Sequence, residues 1–116
     1  MKTITIIKIV LFAFVMSHSM FAQSQLETIA IFPESRPGNI TVSNDGRIFV
    51  TMSALSASKY MVKEILPSGE AIPFGDKEWI VKPENGSLKG INSTIGIQAD
   101  ANGILWVLDM GNAKQN

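Results

Sequence analysis

The side chains able to do chemistry are few, and their types narrow what that chemistry is. The chain has no cysteine and a single histidine, His18. A Ser-His-Asp or Cys-His site needs an imidazole to move the nucleophile's proton, and zinc sites are built largely from imidazole and thiolate. His18 falls in an N-terminal stretch that reads as a removable leader, so the rest of the chain alone assembles none of these. Carboxylates and amides remain. They suit hydrogen bonding to a small polar ligand, or a hard divalent cation such as Ca2+ that takes oxygen ligands. Asn39 and Asp109 stand out by position, one opening an apolar strand and the other ending one.

What would bring these two together is a repeated hairpin. Ile40-Thr41-Val42-Ser43-Asn44-Asp45-Gly46-Arg47-Ile48-Phe49-Val50 is echoed by the run from Ile97 to Val107. Ile40 matches Ile97, Gly46 matches Gly103, Phe49 matches Trp106 and Val50 matches Val107, each 57 positions on. A hairpin recurring at a fixed, long spacing marks a radial or stacked β architecture. In each copy the Asn/Asp-Gly element is read as a tight turn with positive φ angles. Both turns lie at one end of their hairpins, so Asn39 and Asp109 lie at the other. If the hairpins are successive units of one disc, both residues fall on the same face, where converging polar groups build a ligand or metal site. A carboxylate or amide at a strand end also caps nearby backbone N–H groups, and that reading stands beside the first.

The remaining elements follow from alternation and punctuation. Leu26 to Phe32 reads as a first strand, and Glu34 to Gly38 as a loop. Asn39 to Ser43 and Arg47 to Met52 form the first hairpin; Met61 to Leu66 and Ala71 to Phe74 form a second around Pro67-Ser68-Gly69-Glu70. Gly75 to Gly90 is a long connection, with Trp79 expected as a plug sealing the core. Ile91 to Ala99 and Ile104 to Leu108 close the series. The last of these is apolar on both faces, which predicts a strand covered on both sides. Glu64, Glu70, Asp76 and Glu84 alternate with Lys63, Lys77 and Lys82, as on a solvated surface.

Residues 1–22 read as a signal peptide. Lys2 and Lys8 precede and border the apolar core Ile9 to Met16, which is too short for the roughly 20 residues of a membrane span, and Ala22 suits a cleavage site. The chain is then secreted, to the periplasm or outside the cell, with no transmembrane segment after removal of the leader. Loss of Lys2 and Lys8 tips a balance of 10 basic and 10 acidic residues towards acid, which argues against nucleic acid as a partner.

The runs Arg36 to Val50 and Gly96 to Gly111, with Leu66-Pro67-Ser68-Gly69 and the Pro73-Phe74 and Glu78-Trp79 pairs, resemble the major royal jelly/Yellow protein family in its bacterial form. The likeness spans residues 28–112. It implies an all-β fold, a six-bladed β-propeller exported from the cell with a small-molecule cavity on its axis, to which Asn39 and Asp109, as ligand-binding residues on the face read above, would contribute. Some family members carry labels for dopachrome conversion or amine binding. The fold is also similar to the gluconolactonase group, which holds a divalent metal on the axis and has a glutamate where the first blade begins. Here Arg36-Pro37-Gly38-Asn39 stands at that place, with no carboxylate. At about 40–50 residues a blade, residues 23–116 supply roughly two, so this is expected to be the N-terminal part of a propeller domain, with unpaired strand edges prone to aggregate. Three readings follow: a binder of a small organic molecule, a lactonase-like metal-dependent hydrolase or isomerase, and a truncated chain with no activity.

Overall fold

A computed structural model describes residues 26–84, 87 and 89–111. The expected leader lies outside the described residues. Six strands follow one another: β1 (Pro37–Val42), β2 (Ile48–Met52), β3 (Val62–Ile65), β4 (Ala71–Pro73), β5 (Thr94–Ala99) and β6 (Leu105–Asp109). The first four make one antiparallel sheet in the order β1-β2-β3-β4, and β5 and β6 make a second, two-stranded antiparallel sheet. Among the described residues there is no helix, and the fold is all-β.

The repeat is kept to the level of individual pairs. In the first hairpin Pro37 faces Met52, Ile40 faces Val50, Thr41 faces Phe49 and Val42 faces Ile48. In the second, Thr94 faces Asp109, Ile97 faces Val107, Gln98 faces Trp106 and Ala99 faces Leu105, each residue 57 positions after its counterpart. Even the irregularity recurs, between Pro37 and Ile40 and again between Thr94 and Gly96. A one-residue slip would turn every side chain to the opposite face, so matching register means matching faces.

The turns differ from the expected two-residue form. Among the described residues none other than glycine has a positive φ, whereas a type I′ turn needs two such residues. Instead Gly46 N–H bonds Ser43 O at 2.9 Å and Ser43 N–H bonds Arg47 O at 2.9 Å, with Gly46 at φ 83°. This is a type I turn closed by a left-handed glycine, the other common hairpin solution. It recurs at Asp100–Ile104, with Gly103 at φ 80°, and at Leu66–Glu70, with Gly69 at φ 85°. Asn44, Asp45, Ala101 and Asn102 therefore keep ordinary backbone, and only the glycines carry the strain that Cβ would add.

Strand alternation gives each sheet two faces. On the first sheet, Phe49 and Val62 share a face and pack with Ile80 and with Ile97, Leu105 and Val107 of the second sheet. The opposite face carries Val50, Met52 and Ile65, packed with Met61 and with Ala30 and Phe32 of the N-terminal segment. The sheets are also stitched by hydrogen bonds: Ala99 N–H to Thr41 Oγ1 at 3.1 Å, Thr94 hydroxyl to Met52 O at 3.1 Å, and Asn44 Nδ2 to Ala101 O at 3.4 Å. Thr41 and Thr51 are buried, and each hydroxyl is satisfied.

Three expectations are corrected. Leu26 to Phe32 is not a strand among the described residues. Its alternation is real, since Ala30 and Phe32 pack inward while Ile29 and Ile31 are exposed, but it lies across a sheet face instead of along a sheet edge. β6 is covered on one face only. Leu105 and Val107 pack on the first sheet, whereas Trp106 and Leu108 are each 60 % exposed. Within 75–90 the buried anchor is Ile80, and Trp79 lies out in solvent with Lys89 over its ring. That connection is nonetheless pinned: Asp76 O accepts the N–H groups of Trp79 and Ile80, and Met61 N–H reaches Ile80 O at 2.7 Å.

Candidate functional site

The stitching bonds fix which ends of the two sheets coincide. The turns at Asn44 and Ala101 touch at one end, and Thr94 meets Met52 at the other. Asn39, near the start of β1, and Asp109, at the end of β6, both lie towards the Thr94–Met52 end. The repeat brings them to the same side of the stacked sheets, as the strand pattern requires.

Their local roles differ. Asn39 is exposed, and its backbone is clamped by the buried Thr51 hydroxyl, which accepts Asn39 N–H at 3.0 Å and donates to Asn39 O at 3.5 Å. The clamp sits at the irregular stretch of β1, where ladder bonds are missing, and satisfies backbone groups the bulge would leave open. It leaves the Asn39 amide presented outward. Asp109 is tied down. Its Oδ2 accepts Asn92 N–H at 3.0 Å, and its Oδ1 accepts Ser93 N–H at 2.7 Å and Gly111 N–H at 3.0 Å. Partial burial opposes ionisation of this carboxyl, but the three N–H donors outweigh it and hold the group below the usual carboxylate range. Asp109 thus organises the chain entering β5 and leaving β6. A carboxylate offers about four acceptor positions, so roughly one stays open to a ligand.

The donor set does not suit a resident divalent cation. Among the described residues, no group of three or more histidine, cysteine, aspartate or glutamate side chains converges. Ca2+ takes about 6–8 oxygen ligands, and Asp109 has already committed most of its capacity to backbone N–H groups.

A feature the sequence reading passed over lies at the turn end. Arg47 forks onto Glu64, Nε to Oε1 at 2.8 Å and Nη2 to Oε2 at 2.7 Å, across the β2–β3 pairing. Its guanidinium carbon also lies 5.0 Å from the ring centres of both Phe49 and Phe74. The fork pushes Arg47 up and Glu64 down from their ordinary values. Glu64 is therefore a paired, half-buried group and not one more solvated surface carboxylate. The register could have revealed it, since Phe49 opposite Glu64 puts Arg47 two residues away on the same face. A cleft of about 380 Å³ opens beside this cluster between the two turns, lined by Asn44, Asp45, Arg47, Phe74, Asn102 and Leu105 among others. A second, about 550 Å³, lies between residues 27–29 and the turn end of the central strands β2 and β3. Neither is lined by Asn39 or Asp109. Across the described residues no helix is long and apolar enough to cross a membrane.

Compared with protein-family models and with curated proteins, the chain matches none.

Proposed function

We propose that this chain is part of an exported β-propeller of the royal jelly/Yellow type that binds a small organic molecule on the face carrying Asn39 and Asp109. The observation that carries the reading is the hairpin repeat: pairing, register irregularity and turn geometry all recur 57 positions on. A four-stranded antiparallel meander with a two-stranded hairpin stacked on one of its faces also fits such an architecture. An outward-facing amide at Asn39, with one open acceptor position at Asp109, suits a neutral or cationic polar ligand better than an anion.

Dopamine, as a catecholamine probe, tests this. Titration followed by amide chemical shifts is expected to move resonances around Asn39, Asn92, Ser93 and Asp109, and Asn39→Ala is expected to weaken binding several-fold. Shifts confined to residues 44–47 and 101–104, or no shift at millimolar dopamine, overturn the proposal.

A further inference from the structure

The two sheets meet by unlike faces. The first sheet offers its Thr41, Phe49 and Thr51 face; the second covers it with Ile97, Leu105 and Val107. Moved back 57 positions, these three are Ile40, Ile48 and Val50, which belong to the opposite face of the first sheet. The contact is therefore heterologous: one kind of face receives the other kind. Such a contact leaves one unsatisfied face of each kind on the pair.

Both leftover faces are visible. On the second sheet the receiving face carries Gln98, Trp106 and Leu108, with Trp106 and Leu108 each 60 % exposed. On the first sheet the covering face is shielded over β2 and β3 by Ala30 and Phe32, but its β1 residues Ile40 and Val42 are each 58 % exposed. Apolar side chains left out together in this way mark an interaction surface. We propose that the chain associates with further copies of itself head to tail, the Ile40–Val42 face of one copy seating on the Trp106–Leu108 face of the next. The occupant follows from the chain's own interface, because Ile40 and Val42 are the counterparts of Ile97 and Ala99, which already make this contact once.

The polar part of the contact also has a counterpart. Ala99 N–H donates to Thr41 Oγ1 within the chain. In the repeated contact Val42 N–H of one copy takes the place of Ala99, and the Gln98 side-chain oxygen of the next takes the place of Thr41. The association depends on the repeat and stands even if the Asn39–Asp109 face binds nothing.

Sedimentation of the purified chain from 1 to about 500 μM tests this. A discrete oligomer or a concentration-dependent ladder is expected, and a monomer throughout overturns the proposal. Trp106→Glu and Val42→Glu each spoil one face only, and circular dichroism shows whether each still folds. Each variant alone is expected to remain monomeric, and an equal mixture is expected to stop at a dimer, joining the one sound face of each. If Val42→Glu alone still associates while Trp106→Glu does not, the contact joins like faces and the head-to-tail assignment is wrong.

Discussion

Phe49 and Trp106 occupy the same position of the repeat, 57 residues apart, and alanine at each is expected to have very different consequences. Phe49 is 3 % exposed, lies 4.6 Å from the Phe74 ring centre, and carries Arg47 over its face. Removing such a ring costs about 3–5 kcal/mol in lost transfer energy and residual cavity. The lost Phe74 and Arg47 contacts form part of that figure, at about 0.5–1.5 kcal/mol each. Against a total stability of about 5–15 kcal/mol for a small domain, Phe49→Ala comes close to unfolding it. Trp106 is 60 % exposed, so roughly two-fifths of a ~200 Å² indole is hidden, worth about 2 kcal/mol at ~25 cal/mol per Å². That is an upper bound, because the unfolded chain already hides some of the ring. Its hydrogen bond to Asp100, 2.9 Å from indole Nε1 to Oδ2, is exposed to water and adds little. Urea unfolding followed by far-ultraviolet circular dichroism at about 1 μM is the assay, since dilution removes any contribution from self-association. Phe49→Ala is expected to lower stability by at least about 1 kcal/mol more than Trp106→Ala, and the cost of Trp106→Ala is expected to grow with protein concentration. Equal costs at 1 μM would refute the face assignment, since they would require the Trp106 face to be buried within a single copy.

Two further outcomes follow from local geometry. Gly46→Ala and Gly103→Ala place a Cβ with nothing within 4 Å, so each is expected to cost only the backbone strain of a left-handed residue, about 1–2 kcal/mol by thermal melts, with asparagine costing less. The acid limb of stability depends on the carboxyls that folding lowers, Asp100 and Asp109 together with Glu64 and Asp45. The Trp106 indole N–H and the backbone N–H groups of Ile104 and Asn102 hold the Asp100 carboxyl below its ordinary value, and Asp109 is lowered by its three backbone donors against the pull of burial. A carboxyl lowered on folding contributes stability that is full above its unfolded value and is lost as pH falls through the folded one. Urea midpoints are therefore expected to hold level above about pH 5 and to fall below about pH 4, and Asp109→Asn is expected to remove part of that fall. A variant whose midpoint falls as steeply as the parent's would return the effect to other groups.

The second hairpin was legible because its signals are local and redundant. Alternation, glycine placement and the 57-residue echo each point to the same pairing, and pairing is a short-range property. The exact turn was less legible. Asn102-Gly103 is compatible with both a two-residue turn and a type I turn closed by a left-handed glycine. The choice rests on whether the residue before glycine also takes a positive φ, and here it does not. The strand expected at Leu26 to Phe32 shows a further limit. Ala30 and Phe32 alternate with exposed neighbours because one side lies on a sheet. Alternation reports one-sided burial, and a ladder is only one way to produce it.

The burial of β6 and the fate of Asp109 were the least legible, for a shared physical reason. Leu105 to Leu108 is apolar on both faces, but a strand's composition states what it could bury, while its burial depends on what stacks against it. The Phe49 position and the Trp106 position carry the same chemistry in the same register. They differ because the Phe49 face has a second sheet laid over it and the Trp106 face has none among the described residues. Asp109 poses the same problem at the level of one side chain. Its place at a strand end on the Asn39 side was readable, but Asn92, Ser93 and Gly111 reach it only because the chain enters and leaves the second hairpin beside it. A carboxylate with three backbone donors is largely spent on holding its own loop. The side chain left freer to meet a ligand on that face is the Asn39 amide, which is why Asn39→Ala, rather than Asp109→Asn, separates a binding role from a structural one.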